Sequence, residues 1–260
     1  MDLGLHGKVA VVTGASKGIG FCTALQLVKE GAHVAICAGG EKSLQVAAAS
    51  IKKETGVDVL TVVANMAEEK DCKEVIEKTV ERYGRLDILI NNAGTAAANS
   101  FEQVSSELWQ IDLDLKLFGA VHCAKYAVPH LKAAGGGSIV NVTAVLAKTP
   151  PANSLPTTVS RAAGLALTKA MSKDLGQYNI RVNAVCIGLI RSDQIEKRWK
   201  DQEPDLSWDE YSRKVGETIP LGRIGDTEEA ANAITFLASQ AASYVTGTAV
   251  NIDGGSGEAL

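Results

Sequence analysis

No two of the five cysteines stand at the spacing of a metal knuckle or a redox dithiol. Cys22, Cys37, Cys72, Cys123 and Cys186 are scattered through apolar helix and strand patterns. That usage predicts buried free thiols in a reducing compartment rather than disulfides. The four histidines, His6, His33, His122 and His130, show no ligand spacing either, so no metal is expected. Basic residues do not exceed acidic ones; the net charge of −4 leaves no positive field for nucleic acid or an acidic membrane surface. No apolar run reaches membrane-spanning length. The first eight residues, with Asp2, Gly4, His6, Gly7 and Lys8, lack the apolar core of a signal segment. A cytoplasmic protein is expected. Aromatic residues are only 5% of the chain, and no tyrosine lies between Tyr126 and Tyr178.

What is present is a rhythm. A chain of 260 residues, 46% of them hydrophobic, is long enough for one large α/β domain with a substantial core. Apolar runs at 8–13, 33–37, 58–63, 86–90, 138–142, 181–186 and 248–252 are nearly continuous in Val, Ile, Leu and Ala rather than alternating. Such runs predict strands buried on both faces of a parallel sheet. Helical patterns fill about 18–30, 41–54, 68–83, 108–133, 157–177 and 226–238, and Gly31, Gly56 and Gly84 stand where helices end. This alternation predicts a doubly wound sheet with right-handed crossovers. Ser192 to Glu217 breaks the rhythm: it is polar and helix-prone, with Trp199, Trp208 and Tyr211 embedded. Following a strand's carboxyl end, where ligands bind, it reads as a helical lid at 192–217 or as a solvated helical pair anchored by its aromatics.

Thr13 to Gly20 reads T-G-A-S-K-G-I-G directly after the first apolar run. Gly14, Gly18 and Gly20 let the backbone turn sharply and approach a pyrophosphate at the positive end of the following helix. Ser16 and Lys17 project from that turn.

Joined to Asn91-Asn92-Ala93-Gly94, to Ile180–Val185 and to the tail Pro220–Gly255, this turn resembles the short-chain dehydrogenase/reductase family over essentially the whole chain. The resemblance implies a single α/β domain over residues 1–260, a Rossmann-type doubly wound seven-stranded parallel sheet flanked by helices. It implies an oxidoreductase with a nicotinamide dinucleotide and a small-molecule substrate, and a homo-oligomer, tetramer or dimer, built through the long helices. The cofactor contacts it implies are Gly14, Ser16, Lys17, Gly18, Ile19, Gly20, Gly39, Asn65, Met66, Asn92, Ala93, Gly94, Arg161, Gly188 and Ile190. At Ala38-Gly39-Gly40 neither the aspartate that holds ribose hydroxyls nor an arginine for a 2′-phosphate is present. Lys17 is placed as in NADPH-preferring relatives, so NADP(H) is preferred, with NAD(H) open.

The family's catalytic set is a serine, a tyrosine, a lysine and an asparagine. Aligned on Ser160-Arg161-Ala162-Ala163, the tyrosine position holds Thr157 and the lysine position Arg161. The serine position holds Ala144, with Thr143 one residue before it, and the asparagine position holds Lys116. A threonine hydroxyl is too weak an acid for general acid work near neutral pH, and an arginine does not give up protons. Lys116 is the candidate substitute: near Arg161, burial and like charge would lower its pKa. The plainer expectation is that Lys116 pairs with an acid such as Asp112 or Asp114, or packs at a subunit interface. Lys148 and Ser154, in the proline-rich loop Lys148–Pro156, are expected to shape the site rather than react. Standard ketone reduction is expected weak or absent. A non-redox enzyme on the same scaffold, or a non-catalytic nucleotide-binding subunit paired with an active relative, stays open beside an oxidoreductase with an altered proton path.

Overall fold

Strand β1 (Val9–Thr13) is buried along its whole length, as an uninterrupted Val/Ala run must be at the centre of a parallel sheet. In the computed structural model, which describes residues 2–259, it is flanked by β2 (His33–Ala38) and β4 (Ile88–Asn91). The remaining sheet strands are β3 (Leu60–Val63), β6 (Gly137–Ala144), β8 (Ile180–Ile187) and β9 (Ala249–Ile252). Their order is β3-β2-β1-β4-β6-β8-β9, parallel at every pairing. Two short strands, β5 (Ala98–Asn99) and β7 (Leu155–Pro156), form a separate antiparallel pair. The seven expected strands are all present, with boundaries shifted by a few residues.

Helices α1 (Gly18–Lys29), α2 (Glu41–Thr55) and α3 (Glu69–Tyr83) connect the first four sheet strands. Gly56 and Gly84 terminate α2 and α3 with φ of 75° and 77°, a left-handed cap that costs glycine nothing. One core cluster, with Leu27, Ile36, Leu44, Ile51 and Ile234, packs between α1, α2 and α9 (Thr227–Ala238) and the sheet. A second, with Val75, Ile76, Leu89, Leu131 and Ile180, fills the other face. Each fully buried Leu or Ile contributes roughly 1.5–3 kcal/mol.

The single helix expected over 108–133 is instead α4 (Ser106–Leu113), a wide π-turn at Asp114–Phe118 and α5 (Gly119–Ala133). A π-turn inserts a residue and re-aims the side chains beside it. Lys116, 7% exposed, lies in this turn and pairs with Asp112 four residues earlier. Helix α6 (Thr157–Leu175) starts where the prolines end, at Thr157. The 192–217 segment folds as α7 (Asp193–Gln202) and α8 (Trp208–Val215). Among the described residues no helix is long and apolar enough to cross a membrane.

The chain winds outward from β1 in one direction through β2 and β3, and in the other through β4 onward. The crevice outside the carboxyl ends of β1 and β4 is therefore the switch point at which such sheets bind ligands.

Candidate active site

A cleft of about 1120 Å³ opens at that switch point. Its floor begins at Gly14, whose φ of 63° favours glycine and whose added Cβ would lie 2.8 Å from Ala93 Cα. Asn92 pins the turn: its Nδ2 donates to Thr13 O at 2.9 Å and Gly14 O at 3.0 Å. Thr13 Oγ1 accepts from the N–H groups of Asn92 and Ala93 at 3.0 Å each. Gly20 is equally constrained, since a Cβ there would meet Asn92 Nδ2 and Gly14 O at 2.5 Å.

Helix α1 starts with no side-chain cap and no acid in its first turn, so its leading N–H groups and positive dipole end face the cleft uncompensated. A Cβ on Gly18 would meet nothing within 4 Å, which leaves room for an anion to approach the backbone. These features fit a dinucleotide pyrophosphate.

Gly14, Ser16, Lys17, Gly18, Ile19 and Gly20 line the cleft, and so do Asn92, Gly94, Gly188 and Ile190. Gly39, Asn65, Met66 and Ala93 do not. Ala93 lies one layer behind, against Gly14. Asn65 Oδ1 accepts from Ala67 N–H at 3.1 Å, a local turn that takes its carbonyl oxygen. Met66 is buried, with Sδ 3.8 Å from Cys37 Sγ and 3.9 Å from Cys123 Sγ, so only its backbone remains for a ligand. Lys17 is not a free surface cation: it pairs with Asp193 at the start of α7. The aromatics of 192–217 turn toward each other and away from the cleft. Trp199 and Trp208 meet edge-on with centroids 5.5 Å apart, and Tyr211 is buried beside them. Arg191 lies 4.3 Å over the Trp208 ring. Mutual burial of apolar faces explains that orientation.

At the other end, Ala144, Thr157 and Arg161 line the cleft, while Lys116 stands directly behind Thr157. Lys116 Nζ donates to Thr157 Oγ1 at 2.8 Å and forms a buried ion pair with Asp112. The other Asp112 oxygen accepts from Ser160 Oγ at 2.5 Å. Burial pushes the Lys116 pKa down and Arg161 adds to the effect, while the Asp112 bond opposes both. The proximity to Arg161 expected from sequence and the pairing with Asp112 are thus both present. Arg161 donates to Val142 O at 2.5 Å, and burial lowers its pKa too. A Cβ at Gly94 would sit 2.6 Å from the Arg161 guanidinium, so a larger residue there would push the arginine tip out of this position.

Thr143 does not stand in for a serine at 144. Its hydroxyl bonds Val185 O at 3.0 Å, within the sheet. Lys148 is held by Ala249 O and Asn251 Oδ1, and Ser154 donates to Pro151 O at 2.6 Å; both brace the loop. Sequence reasoning missed Asp193 and the tail at Ser256–Glu258, which also line the cleft. Asp253 bends that tail inward by accepting from Gly255 and Gly257 N–H at 3.0 and 2.7 Å. The acid opening the helical insertion was a readable signal for the first; nothing local signals the second.

A family model described as Enoyl-(Acyl carrier protein) reductase matches residues 14–257. The 3-oxoacyl-[acyl-carrier-protein] reductase FabG of Staphylococcus aureus (strain Mu50) is 34% identical over 248 residues, covering 95% of this chain and 97% of that protein. L-Sorbose reductase from Gluconobacter frateurii, solved with NADPH and L-sorbose, is 36% identical with a TM-score of 0.94 over 100% of both chains. An NADPH-bound short chain oxidoreductase from Pseudomonas aeruginosa PAO1, described as containing an atypical catalytic center, is 32% identical with a TM-score of 0.92. That match covers 97% of this chain and 98% of the other.

Proposed function

The chain belongs to the short-chain dehydrogenase/reductase family, and we propose that it interconverts a small carbonyl compound and its alcohol with NADP(H), by a proton route that needs neither tyrosine nor serine. The glycine turn from Gly14 to Gly20 would hold the pyrophosphate. Asn92 and Gly94 would flank the adenosine half; Arg161, Gly188 and Ile190 would flank the nicotinamide half. NADPH in two similar structures, and the lack of a carboxylate at Ala38-Gly39-Gly40, support NADP(H) over NAD(H).

In the direction of carbonyl reduction, bound NADPH would supply the hydride, so the protein must deliver a proton to the substrate oxygen. One observation carries the reading: the 2.8 Å bond from Lys116 Nζ to Thr157 Oγ1. Thr157 Oγ1 also accepts from Ala97 N–H at 2.9 Å. A hydroxyl has two acceptor positions and one donor. With both acceptor positions used, the Thr157 hydrogen is left to point at a substrate oxygen in the cleft. Thr157 gives that hydrogen to the oxygen and takes one from the Lys116 ammonium, which ends as a neutral amine. Arg161 stays charged throughout and favours the developing negative charge on the oxygen. Asp112, braced by Ser160, orients the amine.

A second reading has its own support. Ala144 brings no hydroxyl to the carbonyl, and Thr143 is turned into the sheet, as a non-catalytic nucleotide-binding subunit or a non-redox enzyme would allow. The decisive measurement is NADPH and NADH titration by fluorescence, followed by cofactor absorbance with a panel of ketones and aldehydes. Turnover that disappears in Lys116→Met supports the proton route. Unchanged turnover in that variant overturns it, and tight binding without any turnover leaves the second reading. Exposed Ile111 and Phe118 near α5 and Val159 on α6 support a homo-oligomer through the long helices, which light scattering would test.

A further inference from the structure

An ammonium carries three N–H donors, and Lys116 gives one to Asp112 and one to Thr157. Lys116 also lines a second, small cavity of about 10 Å³, together with Asn91, Leu115, Ala120 and Cys123. That volume is about one water position. Asn91, at the end of β4, is 8% exposed. Its Nδ2 donates to Asn141 Oδ1 at 2.9 Å, and Asn141 Nδ2 in turn donates to Thr168 Oγ1 at 2.9 Å. Asn91 Oδ1, however, is buried with no partner in the protein. Buried carbonyl oxygens are rarely left so, and a bridging water is the usual remedy.

We propose that one buried water fills this cavity, accepts the third N–H of Lys116 and donates to Asn91 Oδ1, which makes Asn91 a positioning residue for the proton donor. The assignment rests on the Lys116–Thr157 route proposed above. It completes the donor set of the amine and the acceptor set of the amide with a single molecule. It also ties Lys116 to the sheet through Asn91 on β4 and Asn141 on β6, and through Asn141 to Thr168 on α6, so the amine is held from β4 as well as from α4 and α6. The charged and titratable groups facing Lys116 are Asp112 from α4, Arg161 from α6 and the Cys123 thiol on α5 across the cavity. A water that accepts from the ammonium favours its charged form, so this contact opposes the downward pull of burial.

The test is the titration of Lys116 by NMR with ¹³Cε-labelled lysine, in the full protein and two variants. Asn91→Asp sets a carboxylate on the far side of the water and should move the Lys116 midpoint up by about one pH unit. Ala120→Val fills the cavity without touching the Asn91–Asn141 bond and should move it down. The alkaline limb of the pH–rate profile should follow in each case, with NADPH affinity unchanged. Lys116 midpoints that stay put in both variants would overturn the water bridge. So would a high-resolution crystal structure with no ordered water between Lys116 and Asn91. The two proposals fail separately: unchanged turnover in Lys116→Met removes the proton route yet leaves the titration shifts in place. Static midpoints alongside a dead Lys116→Met remove only the bridge.

Discussion

The two ends of the cleft are made of different material. At the carboxyl ends of β1 and β4 the wall is main chain: bare N–H groups at the start of α1, and Gly14 and Gly20 packed too closely for any Cβ. At the start of α6 the wall is side chain: half-buried Thr157 and Arg161, with buried Lys116, Asp112 and Ser160 behind them, joined to Thr157 by hydrogen bonds that reach α6. A backbone cradle tolerates almost no substitution at Gly14 and Gly20, and among side chains it depends chiefly on Thr13 and Asn92, which pin it. A side-chain network can exchange its members, provided each donor and acceptor is again satisfied. The nucleotide end can therefore persist unchanged while the reaction end is rebuilt.

The largest effect expected from this contrast is at the reaction end. Lys116→Met should lower turnover by about 10²–10⁴-fold, the usual worth of a positioned acid, while NADPH binding is kept. Thr157→Val should behave alike and Thr157→Ser should retain most activity, both read by steady-state rates. Because burial and Arg161 lower the Lys116 pKa, reduction by the proposed route, which would need the ammonium, should fail as pH rises through a midpoint below the ordinary lysine value. Loss of NADPH binding in Lys116→Met would blur the division between the two ends.

Next in size is the cradle. Gly20→Ala forces a Cβ against Asn92 Nδ2 and Gly14 O, and overpacking of this kind costs about 1–3 kcal/mol. Nucleotide affinity and Tm should fall together, as followed by fluorescence titration and calorimetry. A smaller change is expected at the mouth. Lys17 and Asp193 are both well exposed, and exposed pairs contribute about 0.2–1 kcal/mol. Asp193→Asn frees Lys17 for an anionic ligand and should tighten NADPH binding a few-fold, with NADH affected less. Equal gains for both nucleotides would refute a role for Lys17 at the 2′-phosphate.

The smallest effect lies outside the cleft. Arg223 and the Asp226 N–H lower the Glu229 pKa from 4.5 to about 2. A carboxyl depressed on folding adds stability above its unfolded value and loses it as pH falls between about 4.5 and about 2. Glu229 is 44% exposed, so solvent screening holds the contribution under about 1 kcal/mol. Glu229→Gln should lower Tm slightly at neutral pH, and the difference from the parent protein should vanish near pH 2.

Much of the fold could be read from residue order. Continuous apolar runs have few places to go except a doubly covered sheet, and Gly56 and Gly84 mark helix ends because only glycine is at ease there. The break in the helix over 108–133 could not be read, since Asp114–Phe118 has ordinary helix-forming residues. The turn ends at Gly119, where a Cβ would lie 2.6 Å from Met66 O, a contact between distant segments that residue order does not show. The aromatics of 192–217 show the same limit: composition placed them in a helical insertion, but their choice of one another over the cleft is a matter of three-dimensional contact. Lys17 likewise looked free because its partner Asp193 lies 176 positions away.

The order of residues by itself determined the sheet, the glycine turn and the absence of a tyrosine at the start of α6, because strand burial, tight turns and residue identity are local properties. The tertiary structure alone decided that Lys116, Asp112, Ser160 and Thr157 share one buried network, and that Asn91 keeps an unpartnered oxygen beside it. Those relations depend on which atoms meet when distant segments pack, and on the need of each buried polar group to find a partner once water has been excluded.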